Sequence, residues 1–136
     1  MAQLVARREQ LATFIADNNA RPWRPARVDC CMVLADWAMW LGHPDPATHL
    51  RAAYDSEDGF RAIIAHHQGV VPLVATCIPR SGKRIQRPVA GAIGVIGSPT
   101  NIQRQFGAIH DGEGWLVRMR DGFGRMTART LAAWRI

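Results

Sequence analysis

Apolar residues in the first half of the chain recur every three or four positions, which is the spacing of amphipathic helices. This pattern predicts a first helix over residues 4–17. It predicts a second helix over residues 29–41, with Asp29 as a good N-cap. Within the second helix only Asp36 is charged. A helix that is apolar nearly all round is a central, buried one.

Three shorter helices are predicted further along. Asp45 followed by Pro46 has the composition of an N-cap and a first helical position. Ser56 is expected to cap a helix that runs through His67. The stretch "GVVPLVATCIP" fits a short helix better than a strand because it contains Pro72.

The hydrophobic period changes after a basic loop at residues 80–88. The runs "GAIGVIGS", "QRQFGAIHDG", "GWLVRMRDG" and "AAWRI" are short and β-like, with glycine-containing turns between them. Within them "HDGEG" is typical of a hairpin turn. The sequence therefore predicts an α+β fold, in which a helical N-terminal half with a buried central helix packs on a small C-terminal antiparallel sheet. At 136 residues we expect a single domain, residues 1–136.

Composition adds weak constraints on partners. The net charge is +6, from 17 basic and 11 acidic residues, and Lys83 is the only lysine. The arginines are scattered along the sequence, which fits the coding bias of a GC-rich genome, although the charge favours acidic partners somewhat. Neither a helix-turn-helix nor a basic stripe is recognisable, so we do not expect nucleic-acid binding. We also expect no membrane span and no signal peptide.

The chain has three cysteines, an odd number, and two of them are neighbours, so we expect free thiols and no disulfide framework. No pair of cysteines or histidines has the spacing of a metal site, and we expect neither metal nor cofactor. Cys30 follows the predicted cap Asp29, where unpaired backbone N–H groups favour a thiolate. Cys31 lies about 100° further round the helix and should face the core. The alternative is that both cysteines are small core residues.

The segments "WRPARVDCCMVLADW", "VAGAIGVI", "QFGAIHDGEGWLV" and "AAWRI" together resemble the NlpC-type papain-like cysteine peptidases. More specifically, "DCCMVLADW", "DPATHLRAAY" and "AWRI" are similar to the uncharacterised NlpC-like domains of phage and prophage tail gene clusters. The resemblance implies a papain-like fold over nearly the whole chain. It also implies that Cys30 stands at the position of the catalytic nucleophile.

The chain departs from the family at the other catalytic positions. The position of the catalytic histidine falls on Gln105, and the third polar position falls near Val117. The usual Gly-Asp is Gly91-Ala92 here. His110 is the one candidate to replace the base, but it lies five residues beyond Gln105. That is about 16 Å along a strand and on the opposite face.

Two functions follow from the resemblance. The first is a structural component of a phage tail tip or tail assembly, with a degenerate NlpC-like fold and other tail or hub proteins as partners. It would be made in the bacterial host cytoplasm and end in the virion. The alternative is an active cysteine peptidase or amidase that cuts peptidoglycan stem peptides through a Cys30 thioester during cell entry. A third and weaker possibility is a small arginine-rich nucleic-acid binder.

Overall fold

A computed structural model describes residues 2–24, 29–51 and 53–136, with residues 2–4 described by their backbone only. Residues 25–28, which belong to the segment before the two cysteines, lie outside the described residues. The described part of the chain forms four α-helices, α1 (Ala2–Asn19), α2 (Met32–Trp40), α3 (Glu57–His66) and α4 (Val70–Ala75). Six strands follow, β1 (Lys83–Arg84), β2 (Ile93–Gly97), β3 (Gln105–His110), β4 (Trp115–Met119), β5 (Gly122–Met126) and β6 (Thr130–Arg135).

Most of the predicted helices are confirmed. The Ser56 hydroxyl accepts a hydrogen bond from the backbone N–H of Gly59 at 3.0 Å and so caps α3. The short helix α4 forms around Pro72, which lies in its first turn, where its missing N–H costs no hydrogen bond. None of the helices in the described ranges is both long and apolar enough to cross a membrane.

The helix predicted to start at Asp45 is wrong, because residues 46–50 form turns. The Asp45 carboxylate accepts from the backbone N–H of Ala47 at 3.0 Å, as a cap would. Its other oxygen, however, is held by the Arg51 guanidinium at 2.7 Å, and Arg51 also binds Asp36 on α2 at 2.9 Å. This ion-paired cluster folds the segment back onto α2 before a regular helix can extend, and a helix this short has little stability of its own.

The six strands form one antiparallel sheet in the order β1-β6-β2-β3-β4-β5. The sheet is curled, as one hydrogen bond across it indicates. Trp115 on β4 donates from Nε1 to Thr130 Oγ1 on β6 at 2.9 Å, although β2 and β3 lie between these two strands. The absence of a side chain at Gly94 leaves room for the Trp115 ring inside the curl. An inner cluster fills this space, composed of Ile96, Ala108, Trp115, Val117 and Ala133.

The opposite face of the sheet packs on the helices. Six of the nine residues of α2 are buried, and the indole of Trp37 donates to the backbone oxygen of Gly91 at 2.9 Å. The prediction of a buried central helix against the sheet is therefore confirmed. Trp134, in the last strand, is also buried in this core. The sheet residues of this core are Ile93, Val95, Ile109, Ala132 and Trp134.

Candidate functional site

The head of α2 is held by the buried carboxylate of Asp29, which is 2% exposed. Its Oδ1 accepts the backbone N–H of Cys31 at 3.0 Å and of Met32 at 2.7 Å. Its own carbonyl oxygen accepts the N–H of Val33 at 3.1 Å. The prediction that the second helix starts at Asp29 is wrong, because the regular helix begins at Met32 and its N-cap is Cys31. The Asp29 carboxylate nevertheless binds the N–H groups of Cys31 and Met32 and so holds the head of the helix.

Tyr54 completes this arrangement and was not anticipated. Its phenolic Oη donates to Asp29 Oδ2 at 2.6 Å, and both residues are buried. Burial, followed by the charge of Asp29 and the hydrogen bond to it, raises the pKa of Tyr54 far above its usual range. Tyr54 therefore remains a hydrogen-bond donor at any ordinary pH. It is the only tyrosine of the chain, and that rarity is the one signal that could have singled it out.

The two adjacent cysteines face different parts of the molecule. Cys30 is partly exposed and packs on the inner cluster of the sheet. Cys31 packs on the helical core and is partly buried, so it faces the core as predicted but is not completely enclosed. A hydrogen bond with Cys30, together with burial, raises the pKa of the Cys31 thiol well above its usual value.

Strand β3 contacts the backbone of Cys30 through Gly107. A Cβ at Gly107 would lie 2.6 Å from the carbonyl oxygen of Cys30 and 2.8 Å from Leu34 Cδ1. Only glycine therefore allows β3 to approach the head of α2 this closely. Residues alternate between the faces of a strand, so Gln105 shares the face of Gly107, about 7 Å away along β3.

A groove opens next to Cys30, where β3 and β4 separate. The ladder between these strands joins Ile109 to Leu116 and His110 to Trp115, and the strands diverge beyond these pairs. The groove has a volume of about 740 Å³. Its described lining comes from the segment before α2, from α3, from the turn before β3 and from strands β3, β4 and β5, and includes Phe60, Ile64, Ile102, Phe106 and Met126.

The positions that the resemblance assigns to nucleophile, base and orienting residue line the same groove. Cys30, Gln105 and Val117 all line it. The side-chain amide of Gln105 donates from Nε2 to the carbonyl oxygen of Ser98 at 2.7 Å. Gln105 therefore ties the start of β3 to the loop after β2, and Val117 contributes a hydrocarbon surface.

His110 lies at the far end of β3 and is not part of this groove. Its ring packs edge-on against Trp115, with 4.9 Å between the ring centroids, and its Nδ1 accepts the backbone N–H of Gly112 at 3.0 Å. Burial lowers the pKa of His110, so the ring is neutral near pH 7. His110 thus lies at the opposite end of β3 from Gln105, with its ring against Trp115 and the hairpin turn.

Ion pairs and exposed apolar side chains form the rim of the groove. Arg120 pairs with Glu57, and Arg61 pairs with Asp58 at 3.1 Å, so these charges are already compensated. Ile102 and Met119 are 41% and 39% exposed and both line the groove. The sequence did not identify this apolar lining, because its residues are spread along the chain from Trp23 to Met126.

Chemically, the groove offers a thiol in apolar surroundings. No histidine lines the groove among the residues that the structure describes, and the same residues contain no group of three side chains suited to a metal ion. Cys30 could form a covalent bond with an electrophile there. Protonation of a leaving amine, however, needs an acid, and the one carboxyl side chain of the described lining, Glu57, is bound by Arg120 at the rim.

Comparison with known proteins gives one match. A family model described as "Domain of unknown function (DUF6950)" matches residues 3–136. No curated protein and no solved structure matches the chain.

Proposed function

The chain belongs to the DUF6950 family, and from this premise we propose that it is a papain-like, NlpC-type domain that has lost hydrolytic activity. In this proposal it serves as a structural component of a phage or prophage tail. The observation that carries the proposal is the shared groove of Cys30, Gln105 and Val117. A cysteine near the head of a buried helix, facing a strand, is the arrangement that a papain-like peptidase uses.

The loss of activity rests on the chemistry of Gln105. Acyl transfer to a cysteine needs a base to form the thiolate and an acid to protonate the leaving amine. An amide does neither near neutral pH, and the Gln105 amide is engaged by Ser98. General acid–base help is worth about 10²- to 10⁴-fold in rate. Without it, residual turnover is the most that Cys30 can support.

A role in assembly agrees with the surface of the groove. Two exposed apolar side chains, Ile102 and Met119, border it, and exposed apolar surface is often an interaction site. We propose that tail or hub proteins are the partners of the domain and that it resides in the virion tail after synthesis in the host cytoplasm. The sequence similarity to domains of phage tail gene clusters supports this location.

The alternative is an active peptidase that cleaves peptidoglycan stem peptides. One observation favours this alternative: Cys30 is partly exposed and lines an open groove. The two functions differ in a direct assay. Purified protein and a Cys30→Ala variant are incubated with isolated peptidoglycan, and new free amines and released stem peptides are measured. Inert protein in both cases supports the structural role. Release that disappears with Cys30→Ala contradicts it.

A second experiment tests whether position 105 faces Cys30. In a Gln105→His variant, an imidazole at this position should increase the rate at which Cys30 is alkylated near neutral pH. Gln103→His is the matched control, since Gln103 also lines the groove but lies in the turn before β3. Equal rates in the two variants would remove position 105 from the proposed catalytic geometry.

The assembly role has its own test. Particles of a tail-bearing phage that encodes the chain are purified and probed with antibody for the protein. Retention in intact particles, and co-purification with other tail proteins, is expected. Particles that assemble and infect normally without the protein would contradict the role.

A further inference from the structure

Charge is divided unevenly between the two halves of the chain. Residues 1–58 carry eight acidic residues and six arginines, whereas residues 59–136 carry three acidic and eleven basic residues. No aspartate or glutamate occurs in residues 59–110. The net positive charge of the protein therefore belongs to its second half.

Five of these cations lie at one edge of the sheet, and we call them the edge patch: Arg80, Lys83, Arg84, Arg87 and Arg135. Lys83 and Arg135 are directly opposite each other on β1 and β6. All five are exposed, and none forms an ion pair with another described residue. Asp45, which shares a surface cleft with Arg80, is already bound by Arg51.

The backbone at the centre of the edge patch is open to a further strand. β1 is the outermost strand and pairs with β6, and no strand covers its other side in the part of the chain that the structure describes. The N–H of Ile85 bonds to the oxygen of Ala133 at 3.0 Å. In an antiparallel ladder the inward and outward groups alternate. The N–H and C=O of Arg84 therefore point outward, away from β6.

The Arg84 side chain is held in place above the sheet. Its guanidinium carbon lies 5.1 Å from the centroid of the Trp134 ring, within the range of a cation–π contact. This contact orients a charge next to the open backbone groups. It also reduces the conformational entropy that Arg84 would lose on binding.

We propose that the edge patch binds an extended acidic segment of a partner protein, which adds a strand outside β1. Charge complementarity selects acidic side chains, and the outward N–H and C=O of Arg84 pair with the main chain of the segment. A nucleic-acid backbone offers mainly acceptors and would leave the Arg84 carbonyl unused, so the open edge favours a peptide. This site is separate from the Cys30 groove and does not depend on the function proposed for it.

Binding is measured by fluorescence anisotropy with a short labelled peptide in which Glu alternates with Thr. The charge variant is Arg84→Glu/Arg87→Glu. Its matched control is Arg104→Glu/Arg129→Glu, which changes the same net charge at exposed positions outside the edge patch. We expect the first variant to bind at least about 10-fold more weakly than the natural protein, because two attractive contacts become repulsive. The control should change less than about twofold at physiological salt.

A second pair of variants isolates the main-chain contact. Arg84→Ala removes the guanidinium and keeps the outward N–H, whereas Arg84→Pro removes both and is tolerated on an edge strand. The proline variant should bind more weakly than the alanine variant, with both melting near the natural protein. Equal peptide affinity of the alanine and proline variants would contradict the proposal that the peptide adds a strand outside β1. Equal loss in the two charge variants, or tighter binding of single-stranded oligo-dT than of the peptide, overturns the acidic peptide as partner.

Discussion

The carboxylate of Asp29 is held by Tyr54 through one oxygen and by the head of α2 through the other. Tyr54 Oη donates to Oδ2 at 2.6 Å. Oδ1 accepts the N–H groups of Cys31 and Met32. The tyrosine therefore supports the cap of the central helix across 25 residues of sequence. Cys30 lies between the cap and the helix, so its position depends on this contact.

Tyr54→Phe should lower the free energy of unfolding by about 2 kcal/mol, because a buried hydrogen bond to a charged group is worth about 1.5–3 kcal/mol. The ring itself is retained, including its packing against Phe60, with 5.1 Å between the centroids. Urea denaturation followed by far-UV circular dichroism measures the change. An unchanged urea midpoint would contradict a contribution of the Tyr54–Asp29 hydrogen bond to stability.

The three thiols should react with alkylating reagents in a defined order. Cys30 is partly exposed in the groove, whereas the pKa of Cys31 is raised by its hydrogen bond with Cys30 and by burial. Burial also raises the pKa of Cys77. A raised pKa leaves less thiolate near pH 7.5, so Cys30 should be modified first. Timed labelling with iodoacetamide and peptide mapping tests this, and earlier modification of Cys31 would refute it.

Gly107→Ala should separate β3 from the head of α2, because the new Cβ would lie 2.6 Å from the Cys30 oxygen. We expect a loss of stability of about 1–3 kcal/mol, the range for overpacking a tight contact. Gly124→Ala is the control, since its Cβ would meet only the flexible end of Met119 at 3.0 Å. Similar losses in both variants would contradict a special role of Gly107.

Arg118 is buried and closes the C-terminal end of α1. Its guanidinium donates to the carbonyl oxygens of Asn18 at 2.6 Å and Arg21 at 2.7 Å. Arg118→Met should cost about 2–4 kcal/mol, because at least two buried carbonyl groups lose their donor. The stability of an Arg118→Lys variant should lie between those of the natural protein and Arg118→Met, since an ammonium keeps the charge but cannot reproduce the planar set of guanidinium donors. The rate of amide hydrogen exchange near Asn18 should increase in the order of the stability loss. An unchanged exchange rate would contradict the role of Arg118 at the end of α1.

The Asp111–Arg125 pair makes the β3–β4 hairpin sensitive to acid. Burial alone would raise the pKa of Asp111, but hydrogen bonds from Arg125 and from the backbone of Glu113 and Gly114 lower it to about 2. The pKa is depressed in the folded state, so this stabilisation is complete above the unfolded pKa of about 4. It is lost as the pH falls towards 2.

Asp111→Asn should therefore lower stability by about 1 kcal/mol at pH 7, because solvent screens this exposed ion pair, and by much less at pH 2. Denaturant titrations across this range measure the difference between the two proteins. Glu113→Gln is the control in the same turn, because its carboxylate pairs only with the exposed Arg8 in the described structure, at 3.3 Å. A constant difference at all pH values would contradict the pKa argument.

Local patterns in the sequence predicted the elements that depend on local interactions. The cap at Ser56 and the hairpin after His110 are each set within a few residues and are confirmed. The Asp29 carboxylate binds N–H groups at the head of α2, but the helix starts three residues later than predicted. Asp45 has the same local signal, but its carboxylate is drawn to Arg51 and the helix does not form. A rule based on the residues next to Asp45 does not include its ion pair with Arg51.

The groove was predictable only in part. Placing Cys30 and Gln105 close together followed from the resemblance, whereas the divergence of β3 from β4 and the contact of Tyr54 with Asp29 did not. These features join segments that are distant in the sequence, and periodicity carries no information about such contacts. The edge patch was also missed, since its cations look scattered until β1 and β6 are paired.

The contact of Arg118 with Asn18 spans 100 residues, and this has a consequence for how the protein is made. Helix α1 is synthesised well before β4, so the end of α1 lacks its contact with Arg118 until β4 has been made. Closing so long a loop is slow compared with forming helices and hairpins. The nascent chain should therefore stay open to proteases at its first helix until β4 has emerged and docked. Stalled chains that end before β4 would show this as rapid cleavage near Asn18.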